Sequence, residues 1–327
     1  MNKTNSTINE RIATIEMIQK TIEAQIHQKN INIEKKRKIG KGLYGNVYAA
    51  KIEKYSVAIK VFHPEIISLS KKKESFLTNS EIEAKVSSKI NQLILDHITP
   101  NVNALIAAIP LSNSSYELVY ELADINLQDA IKTKILSQAQ LASVVLQLLM
   151  TLYTMAKQKM IHNDLYCTNI VLAFDNTKLI QYDYVLNNNH YIVDGNICAR
   201  IIDWGPQLIY SNQYDEFEKN DLPIGKHNIH VFYIKMGKYC RDIYSLTTSL
   251  ADNMEGIPIY SRLQRWTRLL SGLIHANVIF DGKKYMDSEF SALKQLSYFI
   301  STFPMEEFIG YSYLPSQMVP VNDIFYL

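Results

Sequence analysis

The segment from Met160 to Leu172 constrains the fold of this chain most strongly, because it sets polar side chains between two apolar runs. It reads M-I-H-N-D-L-Y-C-T-N-I-V-L. The pattern predicts two short strands joined by a loop that carries His162, Asp164 and Asn169. An aspartate followed five residues later by an asparagine suits a site that accepts a proton from a hydroxyl group and binds a metal beside it. The alternative is a polar surface loop without chemistry.

A glycine-rich motif lies nearer the start of the chain. Residues 39–48 read I-G-K-G-L-Y-G-N-V-Y, and V-A-I-K follows at residues 57–60. Glycines in this first turn let backbone N–H groups approach phosphate oxygens without a Cβ in the way, and Val47 can cover an adenine ring. Lys60 ends an apolar strand, where its ammonium can reach phosphate oxygens. The glycines alone would say little, but the two motifs together predict a nucleotide site.

The chain after V-A-I-K offers a carboxylate partner for its lysine. A helix is predicted over residues 73–95, with Glu81 and Glu83 as the two candidates. Val86 and Ile90 lie three and seven residues after Glu83, so this carboxylate shares a helix face with residues that pack in the core. Glu83 is therefore the preferred partner, and Glu81 is the alternative.

A third motif, I-I-D-W-G at residues 201–205, supplies Asp203. In this order the motifs resemble those of eukaryotic-type protein kinases, from about Ile33 to the last helices. The H-N-D-L loop, the tyrosine-rich insert after it and the Ile/Asn/Lys/Tyr-heavy composition are similar to the serine/threonine kinases of large cytoplasmic DNA viruses. The resemblance implies an α+β, two-lobed protein-kinase-like fold, with a small antiparallel β lobe carrying one main helix and a larger, mostly helical lobe.

The resemblance also implies a role for each motif residue. Asp164 would orient the acceptor hydroxyl and accept its proton, while Asn169 and Asp203 would hold Mg²⁺ or Mn²⁺ on the phosphates of ATP. Backbone groups of Glu121 and Ala123 would bond adenine, with Tyr120 at the back of the pocket. The implied catalytic residues are Asp164, Lys60 and Asn169. The implied nucleotide-binding residues are Ile39, Gly40, Gly42, Gly45, Val47, Ala58, Lys60, Glu83, Glu121 and Ala123.

Changes of pattern along the chain predict its domain organisation. Residues 1–30 carry isoleucines at spacings of three and four, which indicates an amphipathic helical extension. The extension is expected to pack on the small lobe, with self-association through the same stripe as the alternative. The small lobe is predicted over 31–122 and the large lobe over 123–327. Predicted strands cover residues 32–41, 46–54 and 56–62, with two more within 103–122.

Two further features lie in the predicted large lobe. Between Asn169 and Asp203 stand 33 residues, more than the tight hairpin of a typical kinase needs, and this predicts a lengthened hairpin. Asp242 is expected to begin a helix. The resemblance implies that it braces the catalytic loop, whereas the residues alone allow a helix N-cap.

Several positions depart from the family pattern. Asn163 replaces the usual Arg, Tyr166 replaces the Lys that marks Ser/Thr kinases, and Trp204 replaces the usual Phe. Because Asn163 is uncharged, a phosphate on the activation segment would find no cation there, so activity is not expected to need that phosphate. The main hypothesis is a protein kinase directed at Ser/Thr. The alternatives are a small-molecule phosphotransferase of the aminoglycoside or choline type and a nucleotide-binding pseudokinase scaffold.

Composition narrows the partners and the compartment. The net charge of +2 argues against general nucleic-acid binding, so a protein substrate is the expected partner. Three scattered cysteines lack metal-ligand spacing and suit a reducing compartment. No window is expected to reach the roughly 18 apolar residues of a membrane span. The chain is therefore expected to be soluble and intracellular, in host cytoplasm or in a virion if it is viral.

Overall fold

The chain folds into two compact units. Unit 1 comprises Met1–Asp124 and Arg200–Pro206, and unit 2 comprises Ile125–Ala199 and Gln207–Leu327. The lobe boundary between residues 122 and 123 stays a prediction. The computed structural model describes residues 3–27, 33–42, 44–63, 79–111, 115–158, 160–175, 180–186, 189–204, 238–280 and 289–303.

Unit 1 contains a five-stranded antiparallel sheet in the order β1-β2-β3-β5-β4. Helix α2 (Asn79–Leu95) packs on β4 and β5. Phe62, Leu105 and Leu118 form a buried apolar cluster on this sheet. The strands are β1 (Glu34–Lys41), β2 (Gly45–Ile52), β3 (Tyr55–Phe62), β4 (Leu105–Pro110) and β5 (Tyr116–Glu121).

The sequence located these elements closely. The first three strands differ from their predicted bounds by at most two residues, because the glycine-rich turn and the short turn at residues 53–54 separate them. The helix predicted over 73–95 is observed from Asn79, and residues 73–78 lie outside the described residues. A β sheet with a helix packed on it, followed by a mostly helical unit, confirms the predicted α+β kinase-like fold class.

The N-terminal extension is a long helix, α1 (Lys3–His27), that packs on β4 and α2 within unit 1. The side chains of Ile15, Ile18 and Ile22 are buried, as the isoleucine stripe predicted. Self-association through this helix stays a prediction. Because these three isoleucines already pack within their own chain, it would have to use the exposed side of the helix.

Unit 2 contains five described helices, and α4 is its core. Ser137 caps α4 in a capping box with Gln140, and nearly every residue from Leu141 to Ala156 is buried. The helices are α3 (Leu127–Lys132), α4 (Gln138–Lys157), α5 (Lys238–Asn253), α6 (Ser261–Phe280) and α7 (Glu289–Ser301).

Helix α4 corrects one expectation from composition. By length and composition it could cross a membrane, with a mean hydropathy of 1.4 over an 18-residue window. The statement that no window approaches a membrane span is therefore wrong. However, 83% of that window is buried inside the fold, as in the core helix of a globular domain.

The insert before Asp203 forms the predicted lengthened hairpin. Strands β8 (Ile180–Leu186) and β9 (Asn189–Gly195) pair antiparallel as a separate two-stranded sheet between β7 (Ile170–Phe174) and β10 (Ile197–Ile201). Within unit 2, Gln147 of α4 ties down β10, because its Nε2 donates to Ile197 O at 2.9 Å and its Oε1 accepts from Ala199 N at 3.1 Å. β6 (Ile125–Asn126) pairs with β7 in a three-stranded sheet.

Candidate active site

Lys60 is the centre of a buried ionic cluster in unit 1, here called the Lys60 group, which comprises Lys60, Glu83, Asp203 and Tyr120. Its ammonium lies 2.8 and 2.7 Å from the two carboxylate oxygens of Glu83, and 2.5 Å from Asp203 Oδ1. Lys60 is 8% exposed and Glu83 is 2% exposed. Charge-assisted hydrogen bonds of this kind hold both partners in a fixed geometry.

Helix α2 presents Glu83, and not Glu81, to the lysine. Ser87 and Ile90 lie four and seven residues after Glu83 and are also buried, so one face of the helix carries both the carboxylate and its packing residues. Ile90 is buried as the helix periodicity predicted, whereas Val86 is only partly buried and Ser87 packs on this face instead. Glu81 is only partly buried.

Tyr120 adds a contact that sequence reasoning missed. Its hydroxyl donates to Glu83 Oε1 at 2.9 Å and lies 3.1 Å from Ser87 Oγ. The motif analysis placed this tyrosine at the back of the pocket without assigning its hydroxyl a partner. The sequence did contain a signal for this contact, since a tyrosine and not an apolar residue stands next to the expected adenine-binding segment. A buried phenol hydroxyl needs a hydrogen-bond partner.

Burial and charge act against each other in this group. Burial lowers the pKa of Lys60, but the Glu83 and Asp203 carboxylates outweigh that effect, so the pKa of Lys60 is raised. Burial raises the pKa of Glu83, and the Lys60 ammonium offsets only part of that change. Burial and the Glu83 carboxylate raise the pKa of Tyr120 well above its usual value, so this hydroxyl remains a donor.

The sheet register brings the predicted nucleotide-binding residues of β1 to β3 together. Gly40 pairs with Val47 across β1 and β2, and Val47 pairs with Lys60 across β2 and β3. Ala58 on β3 is buried and pairs with Tyr120 of β5, whereas Ile39 is 42% exposed. Neighbouring registers therefore place these side chains along adjacent strands of one sheet.

One glycine of the motif is required for packing as well. A Cβ added to Gly45 would lie 2.3 Å from Val61 O, closer than any real contact allows, so β2 can approach β3 here only with glycine. Gly40 and Gly42 would meet only ordinary contacts of 3.4 and 3.7 Å. For Gly40 and Gly42, the argument that glycine lets the backbone approach phosphate oxygens therefore stands alone. Gly45 is needed in addition for the close approach of β2 to β3.

The expectation for the Glu121 backbone needs a correction. Its N–H donates to Ala104 O at 3.2 Å, so this donor is already engaged within unit 1. Its carbonyl oxygen accepts from Asn103 Nδ2 at 3.1 Å and keeps a second lone pair. Only the carbonyl of Glu121 therefore stays a candidate for binding adenine. Among the residues that the structure describes, none forms a hydrogen bond with the Ala123 backbone.

Asp203 is held by a short stretch of backbone pairing in unit 1. Ile201 forms a parallel bridge with Val102, in which Ile201 N donates to Asn101 O and Asn103 N donates to Ile201 O, both at 3.0 Å. Asp203 itself adopts a left-handed backbone with φ of 62°. Such a conformation is unfavourable for a residue other than glycine, and it is common at functional sites.

In unit 2, Asp164 and Asn169 form one hydrogen-bonded loop. The side-chain amide of Asn169 donates to Asp164 O at 2.8 Å and to Asp164 Oδ2 at 3.1 Å. A turn of 3-10 helix, Cys167–Asn169, places the amide there. Since both bonds use the amide nitrogen, the Asn169 Oδ1 atom is the one left to face a cation.

Asp242 braces this loop from helix α5. Its carboxylate accepts from the backbone N–H groups of His162 and Asn163, both at 2.6 Å. Helix α5 begins at Lys238, so Asp242 lies inside the helix and is not its N-cap. Burial raises the pKa of Asp242 to about 7, although the two N–H donors and the Arg241 guanidinium lower it in part. His162 is fully buried, which suits a supporting role.

Arg241 is the second contact that the sequence did not reveal. Its Nη1 atom donates to Asn163 Oδ1 at 2.5 Å, and Asn163 adopts a left-handed backbone with φ of 65°. Position 163 is itself uncharged, but the Arg241 guanidinium lies beside it, and the expectation that activity does not need a phosphate on the activation segment stays a prediction. The sequence signal for this contact was that Arg241 directly precedes Asp242. Because Asp242 bonds the loop, the residue next to it also lies near the loop.

Within the described part of the chain, no group of three or more His, Cys, Asp or Glu side chains could hold a metal. Buried Cys167, Cys198 and Cys240 are free thiols. The described residues therefore offer no set of ligands for a bound transition metal.

The family model for the protein kinase domain matches residues 33–220. The chain belongs to the protein kinase domain family. Within this kinase domain, Lys60, Glu83, Asp164, Asn169 and Asp203 all fall inside the matched residues, whereas helix α1 and Asp242 fall outside them.

The kinase domain is also similar to a curated protein named Aurora kinase, from Candida glabrata (strain ATCC 2001 / BCRC 20586 / JCM 3761 / NBRC 0622 / NRRL Y-65 / CBS 138). The two are 28% identical over 185 residues, which cover 55% of this chain and 48% of the relative. The match thus spans about half the length of that relative.

Proposed function

We propose that this protein kinase transfers the γ-phosphoryl group of ATP to serine or threonine hydroxyls of a protein substrate, with Mg²⁺ or Mn²⁺. The observation that carries the proposal is the buried pair between Lys60 and Glu83, with both carboxylate oxygens within 2.8 Å of the ammonium. In kinases this lysine–glutamate pair must be in place for catalysis.

The residues fit a nucleotide carrying a divalent cation. The Lys60 group holds two carboxylates for one ammonium, so it has a surplus negative charge that a cation can balance. Asn169 Oδ1 and the Asp203 carboxylate offer oxygen ligands, the type that Mg²⁺ accepts while keeping most of its waters. ATP with its metal supplies the transferable phosphoryl group. Asn169 and Asp203 would hold the metal, and Lys60 would bind phosphate oxygens.

Asp164 would handle the acceptor hydroxyl. The Asn169 amide fixes the Asp164 side chain and backbone carbonyl, and the Asp164 carboxylate would orient the hydroxyl and take its proton. Asp242 fixes the loop on its other side through two backbone N–H groups. The loop is therefore ordered by unit 2 itself, before any substrate binds.

Acceptor choice and lineage rest on the resemblance of the sequence. Serine and threonine are proposed as acceptors, although Tyr166 stands where Ser/Thr kinases usually carry lysine. The narrower likeness to kinases of large cytoplasmic DNA viruses, and with it a location in host cytoplasm or virion, stays a prediction.

A transfer assay with γ-labelled ATP tests the proposal. Purified protein is incubated with acidic and basic protein acceptors and, in parallel, with aminoglycoside and choline acceptors, each with Mg²⁺ or with chelator. We expect label on protein serine or threonine in Mg²⁺ and none in chelator. Label on the small molecules alone would identify a small-molecule phosphotransferase. ATP binding without transfer to any acceptor would identify a pseudokinase, and full transfer in chelator would exclude the metal-dependent mechanism.

A further inference from the structure

An arginine of the N-terminal helix reaches the end of strand β5. Arg11 of α1 donates from Nε to Glu121 Oε1 at 2.8 Å and from Nη2 to Glu121 Oε2 at 2.5 Å. The same guanidinium donates to the carbonyl oxygens of Pro100 and Val102, at 2.5 and 2.7 Å. Four hydrogen bonds from one planar guanidinium fix its position and orientation. Arg11 lies outside the residues that match the kinase family.

Glu121 is the centre of a second buried cluster in unit 1, here called the Glu121 group, which comprises Glu121, Arg11 and Arg200. Arg200 Nη1 lies 3.3 Å from Glu121 Oε1, and the Ala104 N–H donates to Glu121 Oε2 at 2.9 Å. The three charged side chains are 12 to 13% exposed. Although burial raises the pKa of Glu121, the two arginines outweigh it and bring that pKa to about 2. The carboxylate therefore stays ionised at neutral pH.

This cluster connects α1 to two parts of the nucleotide site. Glu121 directly follows Tyr120, whose hydroxyl holds Glu83 of the Lys60 group. The carbonyl groups of Pro100 and Val102 belong to the segment that pairs with Ile201, two residues before Asp203. A guanidinium bonded to Glu121 and to this segment at once sets the spacing between β5 and the backbone that carries Asp203. All these contacts lie within unit 1.

We infer that Arg11 is a positioning residue of the nucleotide site, and that α1 is an integral part of the catalytic domain. Arg11 contacts neither substrate nor the reacting atoms. It acts by fixing the end of β5, where the Glu121 carbonyl is a candidate for binding adenine, and the strand that leads to Asp203. The inference rests on the proposed function, because it assigns Arg11 to the proposed ATP site.

A purely structural tether would give a different result. Ile15, Ile18 and Ile22 already dock α1 by burying apolar surface, so docking has a contribution that is independent of Arg11. If Arg11 only added to that docking, its loss would lower thermal stability as any core deletion does. If it positions the site, its loss must also change ATP use at temperatures where the protein is folded.

The experiment compares full-length wild type with Arg11→Ala, Arg11→Lys and Ile52→Ala. Ile52 is fully buried at the end of β2, so its truncation supplies a stability control outside the Glu121 group. KM for ATP and kcat are measured for each protein, together with the thermal midpoint and amide hydrogen exchange of residues 101–104 and 201–203. These exchange values need no activity, so they report on positioning even if the proposed function fails.

We expect Arg11→Ala to raise KM for ATP about tenfold, within the losses that small displacements of a site produce. Exchange at 101–104 and 201–203 should become faster. Arg11→Lys should behave like Arg11→Ala, because lysine keeps the charge but lacks the planar fork. Ile52→Ala should lower the thermal midpoint and leave KM unchanged.

Two results would overturn the inference. The first is an Arg11→Ala variant with wild-type KM and wild-type exchange. The second is an Arg11→Ala variant whose KM and exchange equal those of Ile52→Ala when the two variants have lost the same amount in thermal midpoint. If wild type transfers no phosphoryl group but Arg11→Ala still loses local exchange protection, the proposed function fails and the positioning role of Arg11 stands.

Discussion

The Lys60 group and the Glu121 group are two buried ionic clusters in the same unit with opposite charge balance. Around Lys60, two carboxylates meet one ammonium. Around Glu121, two guanidiniums meet one carboxylate, and Arg11 also donates to two backbone carbonyl oxygens. Both clusters are largely buried, although Asp203 of the Lys60 group keeps 37% of its side chain exposed, so the buried charges must be balanced locally.

The difference in charge balance distinguishes a cluster that can bind a charged ligand from one whose charges are already satisfied by protein groups. The Glu121 group satisfies its surplus positive charge with carbonyl oxygens, and its carboxylate has a pKa of about 2. The Lys60 group keeps a surplus negative charge, and burial raises the pKa of Glu83. A cluster left with unbalanced charge in the fold is suited to bind a charged partner. We therefore expect mutations at Lys60 to affect catalysis and mutations at Glu121 to affect stability and positioning.

The largest expected effect is that of Lys60→Met. Removing the ammonium leaves Glu83 and Asp203 without their shared partner and removes the cation for the phosphates. We expect kcat/KM to fall about 1,000-fold, comparable to the loss of a preorganised electrostatic group. The measurement is steady-state transfer from ATP. Lys51→Met, at an exposed position on β2, is the control, and an equal loss in both variants would contradict the assignment.

Glu121→Gln tests the charge balance of the Glu121 group through the pH dependence of the free energy of unfolding. The Glu121 pKa is about 2 in the fold against 4.5 ordinarily, so its ionic stabilisation is fully present above 4.5 and is lost as pH falls toward 2. A depression of that size corresponds to about 3 kcal/mol of unfolding free energy. Urea unfolding of wild type between about pH 6 and pH 2.5 should therefore show a larger loss than the variant shows. Parallel pH profiles would refute the charge balance described for this cluster.

Glu83→Gln should cost activity rather than stability. Glutamine keeps a hydrogen bond to Lys60 but loses the charge, so the ammonium is held less firmly, at a cost of about 1.4 kcal/mol or tenfold in kcat. Asp203 still pairs with the Lys60 ammonium in the variant, so the ammonium keeps a counter-charge and the free energy of unfolding should change little. Glu81→Gln, on the same helix, is the matched control. Equal kinetics in both variants would break the distinction between these two glutamates.

Tyr120→Phe is expected to have the smallest effect. It removes one hydroxyl that donates to Glu83 and contacts Ser87, at a cost of about 1 kcal/mol, or roughly fivefold in kcat/KM. Tyr116→Phe on the same strand is the control, since the Tyr116 hydroxyl forms no hydrogen bond with the residues that the structure describes. A Tyr120→Phe variant with wild-type kinetics would show that the Lys60 pair holds Glu83 unaided.

Residues in local motifs could be predicted from the sequence, but contacts across distant segments could not. Helix periodicity pointed to Glu83, and strand patterns located β1 to β3, because both depend on neighbours a few residues away. Arg11 and Glu121 are separated by 110 positions, and nothing local pairs them. A charged residue on an amphipathic helix normally faces water. Arg11 lies four residues before Ile15, on the buried face, and that spacing was the signal for its burial.

The backbone conformations of Asn163 and Asp203 could not be predicted from the sequence either. The left-handed conformations of Asn163 and Asp203 depend on bonds from Asp242, Arg241 and the segment near Asn101. Those partners come from other parts of the chain, so the sequence near each residue does not indicate the conformation. The motif predicted which residues carry chemistry, while tertiary contacts determine how they are held.

The most direct test of the account measures phosphoryl transfer and ATP binding together in wild type and Asp164→Ala. Because Asp164 is proposed to act on the acceptor hydroxyl and Lys60 to bind the phosphates, the variant should leave the Lys60–Glu83 pair intact. We expect transfer to protein hydroxyls to fall at least about 100-fold while Kd for ATP stays within about twofold. Asp252→Ala, an exposed aspartate of α5, should match wild type in both measurements. Wild-type transfer by Asp164→Ala, or loss of ATP binding equal to that of Lys60→Met, would contradict the account.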